Sequence, residues 1–460
     1  MNTELLRTLP AVDMLVRKCN DYINNNSKKD GHFMPGPSFL THTVKTVLDE
    51  LRKKILTGEL TELPDEDGLV ELVINKLYGD KEYNLRRVIN GTGITLHTNL
   101  GRAPLSVSAA EHVYDVARGY CNLEYDIESG SRGSRYSHVE KLICELTGAE
   151  SALAVNNNAA AVMLTLHALG YGREMIISRG EMVEIGGSFR IPAVMQISGV
   201  TLKEIGCTNK TRLSDYTDAV GDNIAAILKV HPSNYVISGF TQSVSIEELK
   251  ENERIREANI PIIYDLGSGE FEDVDLNADI ICFSADKLLG GPQGGIICGK
   301  KKYIDIIKKD DLIRTLRLDK LTIAALEATL TEYKNKNEND IPVRKILGLT
   351  KEELDSKYDI FVQMAKEILD DRVELSKIET VTETGGGSRP EEELPDICVG
   401  IRIKRGADEE ISAEKIACSL RGASPVPIIG RIHEDVFMLS LRTMFENEYS
   451  EVISAISKLN

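Results

Sequence analysis

A single lysine, Lys287, stands between an apolar run and a pair of glycines in the stretch CFSADKLLGG, residues 282–291. The run before it, residues 280–283, is typical of a buried strand, and the glycines leave room for close approach to the backbone. A lysine at the end of a buried strand is costly unless it has a partner or takes part in chemistry. The alternative is a surface lysine in a loop, and the residues elsewhere in the chain must decide between the two.

Two further predicted strand ends carry polar residues that suit a bound cofactor. Asn157 and Asn158 follow the strand SALAV and open a helix on small residues, whose free amides and positive dipole end can bind a phosphate. Asp265 ends the strand IPIIYD, and Ser284 ends the strand that precedes the lysine. Taken singly, the asparagines are also explained by ordinary helix capping and the aspartate by a structural role.

Taken together, these residues match the needs of pyridoxal 5'-phosphate. That cofactor requires a lysine for a Schiff base, an acid that keeps its ring nitrogen protonated, and a helix N-terminus for its phosphate. The order of a phosphate loop, then Asp265, then Lys287 is typical of a doubly wound, aminotransferase-like domain. The sequence therefore predicts a pyridoxal phosphate site that also includes Asn157, Asn158 and Ser284.

The elements that must position these residues begin near residue 145. Six apolar segments alternate there with helical or irregular stretches: SALAVNN, EMIISRG, GVTLKEIG, NIAAILKVHP, IPIIYDLGSG and DIICFSAD. This alternation predicts a mostly parallel sheet covered by helices, within an α/β fold. The next strand, in GGIICG, follows LLGGPQ too closely for a parallel crossover, so we expect it to be antiparallel.

Different patterns flank this core. Residues 1–80 have helical apolar spacing in AVDMLVRKCNDYI and THTVKTVLDELRKKILTG, with NNNSKKDGHFMPGPS as a predicted loop between them. Residues 81–335 form the predicted catalytic core with its N-terminal linker. Residues 336–460 form a predicted mixed α/β C-terminal domain, with strands in DICVGIRI and DVFMLSLRTMF, a helix in SAEKIACSLRG and an exposed loop, TETGGGSRPEEELP.

Composition limits the class of protein. The chain has 460 residues, more than one compact core usually holds, and no apolar run long enough to span a bilayer. Its N-terminus lacks a signal-peptide pattern, and its eight cysteines are scattered without a CxxC pair, so we expect a cytoplasmic protein with no metal site. Lone histidines are assigned no role.

The charge distribution leaves nucleic-acid binding open. The formal net charge of −17 argues against a large interface with nucleic acid, but a local basic patch is sufficient. Residues 1–54 carry nine basic and six acidic residues, a net charge of +3 against the trend of the chain. The N-terminal helical domain is therefore the candidate for RNA binding.

Several motifs, spread over nearly the whole chain, carry a family resemblance. They are LRTLPAVDMLV, RRVINGTGITLHTNLGRAPLS, LEYDIESGSRGSRYSHVE, GEMVEIGGSFRIPAVM, SADKLLGGPQGGI, RTLRLDKLTIAALEATL and TETGGGSRPEEELP. With these motifs the sequence resembles the bacterial selenocysteine synthases, the L-seryl-tRNA(Sec) selenium transferase family. One departure is Ala285, where many members have glycine.

The resemblance implies a fold-type I pyridoxal phosphate enzyme assembled as a ring of dimers, a homodecamer. It implies conversion of seryl-tRNA(Sec) to selenocysteyl-tRNA(Sec) with selenophosphate as donor, through a cofactor-bound aminoacrylyl intermediate. Lys287 would form the internal aldimine and shuttle the Cα proton, and Asp265 would keep the ring nitrogen protonated.

Selenophosphate is a small anion and calls for guanidinium donors. The stretch LIRTLRL places Arg314 and Arg317 three residues apart, on one face of a predicted helix. The resemblance favours Arg87, Arg314 and Arg317 as the donor site, with Arg132 as a further candidate. Without the resemblance, paired arginines on a helix are more simply explained as a solvated face.

Two alternatives from other classes remain. One is a related pyridoxal phosphate lyase or transferase that acts on a small amino acid or amino sugar phosphate; such an enzyme has no need of an N-terminal helical domain. The other is a non-catalytic RNA-binding or scaffold protein, which has no need of a Schiff-base lysine. The presence of both features favours the tRNA-dependent enzyme.

Overall fold

The chain divides into two compact units, Met1–Arg87 and Val88–Asn460. The computed structural model describes residues 3–30, 36–58, 60, 62–79, 84–185, 189–232, 235–389, 392–404, 411–423 and 425–459. The domain boundaries proposed at residues 80 and 335 remain predictions.

The first unit is a helical bundle. Its helices are α1 (Thr3–Arg7), α2 (Val12–Asp30), α3 (Pro37–Thr57) and α4 (Glu66–Gly79). On α2, Leu15, Cys19 and Ile23 recur every four residues and are buried, so one face of this helix packs into the core of the unit.

One detail of this unit differs from the sequence prediction. The segment NNNSKKD was predicted to be loop, but it forms the last turns of α2, which continues to Asp30. The segment contains neither glycine nor proline, so nothing in it stops the helix from propagating. Residues 31–35 of that predicted loop lie outside the described residues, and its last two residues, Pro37 and Ser38, begin α3 instead.

The second unit is built around a seven-stranded sheet. Its strands are β1 (Ser151–Val155), β2 (Glu174–Ser178), β3 (Thr201–Ile205), β4 (Ile224–Val230), β5 (Ile262–Gly267), β6 (Ile280–Ser284) and β7 (Gly295–Gly299). The spatial order is β1-β7-β6-β5-β4-β2-β3, with β7 antiparallel to both of its neighbours. All six segments predicted as strands lie in this sheet, and the antiparallel seventh strand is confirmed.

Helices cover both faces of this sheet. The helices of the unit are α5 (Val107–Arg118), α6 (Ser137–Thr147), α7 (Asn158–Gly170), α8 (Ile191–Ile197), α9 (Leu213–Ala219), α10 (Ile246–Glu251), α11 (Glu253–Glu257), α12 (Lys301–Ile307), α13 (Ile313–Leu316), α14 (Lys320–Lys334), α15 (Pro342–Leu347), α16 (Lys351–Lys366), α17 (Ala413–Arg421) and α18 (Tyr449–Ser457). Residues of α6 to α14 belong to the two apolar clusters on this sheet, whereas α16, α17 and α18 pack with the C-terminal strands in a separate cluster. Strand β6 is buried on both sides: Ile281 and Phe283 belong to one apolar cluster, and Ile280 and Cys282 to the other. This burial explains why the strands are continuous apolar runs instead of alternating ones.

A second, antiparallel sheet lies in the C-terminal part of the same unit. Its strands are β8 (Val373–Glu383), β9 (Glu393–Ile403), β10 (Arg431–His433) and β11 (Val436–Ser440), in the spatial order β8-β9-β11-β10. Three short pairs of two-residue strands complete the unit: Ile89–Asn90 with Ile428–Ile429, Tyr125–Asp126 with Ser131–Arg132, and Glu184–Ile185 with Phe189–Arg190.

The sequence missed β8 and misjudged the segment that follows it. TETGGGSRPEEELP was predicted to be an exposed loop, but its first residues end β8 and its last residues begin β9. Between them, Thr384 and Ser388 are buried, whereas Arg389 is exposed. The polar composition of the segment hid the burial of these two hydroxyls. Across the described ranges, no helix has the length and apolar content to cross a bilayer.

Candidate active site

Lys287 lies in the tight connection between β6 and β7. The loop is held by short backbone bonds: the Ala285 amide donates to the Gly294 carbonyl at 2.9 Å, and the Gly291 amide donates to the Ala285 carbonyl at 2.8 Å. Gly290 adopts φ +75°, and a Cβ there would lie 2.4 Å from Ile341. The glycines after the lysine are therefore required by the turn and by its packing.

Lys287 is only 7% exposed, and its amine forms no hydrogen bond to any described residue. Burial lowers the pKa of Lys287, the positive charge of Arg102 lowers it further, and Asp286 and Asp265 oppose both effects. A lysine with a lowered pKa is more often neutral near pH 7, which is the nucleophilic form of the amine.

Asp265 lies at the carboxyl end of β5 and is 3% exposed. One carboxylate oxygen, Oδ1, accepts from Asn158 Nδ2 at 2.8 Å and from the Gly267 amide at 3.1 Å. Burial raises the pKa of Asp265 to about 6, while these two hydrogen bonds and the charge of Lys287 hold it down. The strand end and the helix start thus orient a carboxyl group next to the lysine.

The start of α7 uses its two asparagines differently. Asn157 caps the helix, because its side-chain oxygen accepts from the Ala160 amide at 2.9 Å. Asn158 turns its amide to Asp265, and its own Oδ1 is buried without a described partner. The Ala160 amide is taken by this cap, so the amides of Asn158 and Ala159 are those of the first turn that remain suited to a phosphate. Ser284 ends β6 and is 6% exposed.

An ion pair that sequence reasoning missed borders the lysine. Arg102 Nη1 donates to Asp286 Oδ2 at 2.6 Å, so the residue before Lys287 is neutralised by a guanidinium from a distant part of the chain. Arg102 holds φ +64°, in the left-handed region that a non-glycine residue seldom adopts. The only signal was the stretch NLGRAPLS, which could not reveal which carboxylate the arginine meets.

The predicted donor arginines do not share a helix face. Arg314 is exposed on the four-residue helix α13, but Arg317 follows that helix in extended conformation, with ψ 144°, and bridges to Val155. The helix ends at Leu316, before Arg317, so the three-residue spacing does not place the two arginines on one helix face. Arg87 is the last residue of the first unit and is exposed.

Arg317 belongs to a carboxylate-centred cluster. Its Nη1 lies 3.6 Å from Glu124 Oε1, and Arg132 and Arg135 also contact Glu124. The hydrogen bond from Arg135 is the largest cause that lowers the pKa of Glu124. One carboxylate therefore faces three guanidinium groups, which leaves excess positive charge for an anion.

The residues around Lys287 fit the requirements of pyridoxal phosphate. Lys287 is a buried residue whose amine has no hydrogen bond to a described residue, the carboxylate of Asp265 is fixed by two donors, and Asn158 keeps a buried oxygen without a described partner. The N-terminus of α7, which is suited to a phosphate, lies at the same edge of the sheet as Asp265, because Asn158 in its first turn donates to that residue. Within the described ranges, no cluster of three or more histidine, cysteine or acidic side chains is arranged to bind a metal ion.

The fold is shared with that of a solved enzyme structure. The structure of D-glucosaminate-6-phosphate ammonia-lyase superposes with a TM-score of 0.56 at 19% identity, covering 83% of this chain and 97% of that chain. The prediction of an aminotransferase-like, fold-type I architecture is confirmed.

Sequence comparison is more specific. The L-seryl-tRNA(Sec) selenium transferase of Geobacter sulfurreducens is 44% identical, covering 92% of this chain and 94% of its own length. The enzyme of the same name from Caldanaerobacter subterraneus subsp. tengcongensis is 43% identical, covering 99% of this chain and 98% of its own length. The profile of the SelA family, described as L-seryl-tRNA selenium transferase, matches residues 88–445. The chain therefore belongs to the L-seryl-tRNA selenium transferase family.

Proposed function

We propose that this chain converts seryl-tRNA(Sec) to selenocysteyl-tRNA(Sec), with selenophosphate as selenium donor and pyridoxal phosphate as cofactor. The observation that carries the proposal is the buried Lys287, whose amine has no hydrogen bond to a described residue, close to the fixed carboxyl group of Asp265. When bound, pyridoxal phosphate supplies an aldehyde for an amine and a ring that accepts an electron pair from the substrate Cα.

Lys287 and Asp265 hold and move protons in this scheme. Lys287 Nζ would bind the aldehyde and, once released by the substrate amine, take the proton from the serine Cα. Its lowered pKa favours the neutral form that this transfer needs. Asp265, oriented by Asn158 and the Gly267 amide, would keep the ring nitrogen protonated, and the first turn of α7 would hold the phosphate.

The donor site is the next part of the proposal. Arg314 and Arg317, together with Arg87, would bind selenophosphate through their guanidinium groups. Support comes from the exposure of Arg314 and from the excess of guanidinium groups around Glu124. Replacing Arg314 or Arg317 with alanine should raise the KM for selenophosphate about tenfold. If tRNA binding were lost instead, these arginines would belong to the RNA interface.

The first unit would bind the tRNA. Arg52, Lys53 and Lys54 are exposed near the end of α3, and the only ion pair described for this triplet is that of Arg52 with Asp49 on the same helix. RNA binding by an acidic chain requires such local positive charge, and it weakens with salt. Changing all three to glutamate should weaken tRNA binding by at least tenfold at low salt without changing the cofactor absorbance.

A homo-oligomer, a ring of dimers as in the family resemblance, is also proposed, with activity in the cytoplasm where tRNAs are charged. Support for association comes from an apolar surface on α5 and the segment after it. Val107 is 75% exposed, Tyr114 62%, Tyr120 109% and Ile127 71%. Exposed apolar patches of this kind favour protein–protein contact. Mass photometry of the intact protein tests the subunit number, and a monomer would contradict this part.

The decisive experiment is incubation with seryl-tRNA(Sec) and selenophosphate, followed by analysis of the amino acid released from the tRNA. Selenocysteine is expected with the unaltered protein and not with Lys287→Ala. Protein that has no tRNA affinity at low salt but turns over a free amino acid would instead be a small-molecule lyase on the same scaffold.

A further inference from the structure

Buried polar atoms without partners are concentrated in one place. Among the described residues, ten such side-chain atoms occur, and five belong to two facing stretches, residues 95–97 and residues 382–388. Those five are Thr95 Oγ1, His97 Nδ1, Thr382 Oγ1, Thr384 Oγ1 and Ser388 Oγ. A buried hydroxyl without a partner costs about 1–3 kcal/mol, so a cluster of them indicates a ligand.

The second stretch, residues 382–388, folds around three consecutive glycines. We call residues 384–388 the glycine loop. Gly385, Gly386 and Gly387 have φ angles of +80°, +65° and +69°, and no described residue accepts a hydrogen bond from their amides. The first and last residues of the loop are buried: Thr384 is 0% exposed and Ser388 is 3% exposed. Successive backbone amides in such a conformation form a concavity that binds an oxygen atom.

The glycine loop lies close to the catalytic lysine. Leu96 donates its amide to the Thr384 carbonyl at 2.8 Å, and its side chain packs with Leu288, the residue after Lys287. From the other side, Ser268 Oγ lies 3.4 Å from the Gly387 carbonyl, and Ser268 follows Asp265 closely in the chain. The loop therefore contacts segments that adjoin both residues of the proposed cofactor site.

The charges around the loop are already compensated. Arg389 donates to Glu270 at 2.9 Å and to Glu392 at 3.1 Å, and Arg344 also pairs with Glu270. Hydroxyls and backbone amides are thus the donors that remain. Among the described residues around the loop, Glu270 and Glu392 take both guanidinium groups, so no net positive charge remains there to favour an anion, whereas a neutral carbonyl oxygen needs only neutral donors.

We propose that the glycine loop binds the acyl carbonyl oxygen of the aminoacyl group, so that the site selects an esterified amino acid over a free one. This inference rests on the proposed function, because it assumes that the substrate is an aminoacyl-tRNA. Thr384 Oγ1, Ser388 Oγ and the glycine amides are the donors. They place the Cα of the substrate next to Lys287.

The test measures binding with a probe that cannot react. The probe is tRNA(Sec) that carries alanine through a stable 3'-amide bond, which keeps the acyl carbonyl and lacks the leaving hydroxyl. Its affinity is compared with that of uncharged tRNA(Sec) for the full-length, cofactor-loaded protein and for Thr384→Val and Ser388→Ala. Thr380→Val, on β8 outside the loop, is the matched control, and thermal melting checks that each variant is folded.

Each loop variant should bind the charged probe about threefold to tenfold less tightly, as expected for one lost hydrogen bond, with unchanged affinity for uncharged tRNA. The control should bind both RNAs as the unaltered protein does. Equal weakening of both RNAs, or unchanged binding of the charged probe, would overturn the inference. A raised KM for selenophosphate with normal probe binding would also overturn it, because the loop would then serve the donor.

The two levels of proposal fail in different ways. If the unaltered protein binds neither RNA, the proposed function falls and the inference falls with it. If the unaltered protein prefers the charged probe and both loop variants keep that preference, only the role of the glycine loop is lost. Because each variant removes a single oxygen at a different residue, misfolding of one still leaves the other to decide.

Discussion

Lys287 and Lys229 are two buried lysines of the second unit, and each is only 7% exposed. Lys229, near the end of β4, bonds to Glu181 and lies 3.4 Å from Tyr216 Oη. It lines a cavity of about 810 Å³, together with His231 and Tyr264. Lys287 has no hydrogen bond to a described residue, and its nearest carboxylate neighbour in sequence is already paired with Arg102.

The difference separates two uses of a buried charge. A buried lysine whose ammonium group contacts a carboxylate has its charge compensated and supports the structure. A buried lysine whose potential partners bind elsewhere is destabilised as a cation, and so its amine is available for chemistry. Equal burial therefore does not imply an equal role, and only the contacts of each amine distinguish the two.

The largest expected effect separates the two lysines by activity. Lys287→Met should lower selenocysteyl-tRNA formation by about 10³-fold or more, because the amine proposed to bind the cofactor is lost. Folding stability should be unchanged or slightly higher, since a buried amine without a hydrogen bond has been removed. Single-turnover assays and urea unfolding check both parts. Borohydride reduction followed by mass spectrometry should place the cofactor on Lys287, and an adduct on Lys229 would reverse the assignment.

The converse change should affect stability first. Lys229→Met leaves Glu181 buried without its partner, which costs about 3–5 kcal/mol of unfolding free energy. The double variant Lys229→Met/Glu181→Met should recover most of this loss, because no uncompensated charge remains. Urea denaturation at pH 7 measures all three proteins. A Lys229→Met protein as stable as the unaltered one would mean that the pair is not structural.

Asp265 gives a pH-dependent test of the same environment. Burial raises the pKa of Asp265 from 3.8 to about 6, so the folded chain binds this proton more tightly than the unfolded chain. The resulting stabilisation is complete below about pH 4 and is lost as the pH rises to about 6. Asp265→Asn cannot ionise, so without cofactor it should be more stable than the unaltered protein above pH 6, by about 2–3 kcal/mol.

Unfolding of both cofactor-free proteins between pH 4 and pH 7 measures this difference. The two curves should converge at the acid end, and a constant offset across the range would show that Asp265 is not the titrating group. Activity should also fall in Asp265→Asn, because an amide carries no negative charge to keep a ring nitrogen protonated.

The smallest expected effect concerns the start of α7. Asn157→Ala removes the cap of the Ala160 amide and should cost about 1 kcal/mol of stability. If Asn157 acts only as a cap, cofactor affinity should change little, whereas a direct role in the phosphate site predicts a weaker affinity. Absorbance titration with pyridoxal phosphate, next to Asn157→Ser as a capping control, separates these outcomes.

The sequence by itself determined the strands of the seven-stranded sheet and the place of Lys287 after one of them. Continuous apolar runs predicted the strands, the short connection after Lys287 predicted the antiparallel β7, and Asp265 stood at a strand end. These features depend on local periodicity and connection length, which a single chain segment expresses. The local signals failed at Arg317, where a helical spacing continued past the end of the helix, and at Thr384, whose burial a polar segment concealed.

Tertiary structure alone decided which groups meet. Asn158 and Asp265 are 107 residues apart, and Arg102 and Asp286 are 184 residues apart, yet each pair is joined by a hydrogen bond. The glycine loop likewise meets the segment around Leu96 only in the folded chain. In the sequence, Lys229 and Lys287 both lie beside apolar runs. Only the fold brings Glu181 to the amine of Lys229 and leaves the amine of Lys287 without a hydrogen bond to a described residue. The physical reason is that desolvation and pairing depend on neighbours in space, which residue spacing along the chain does not specify.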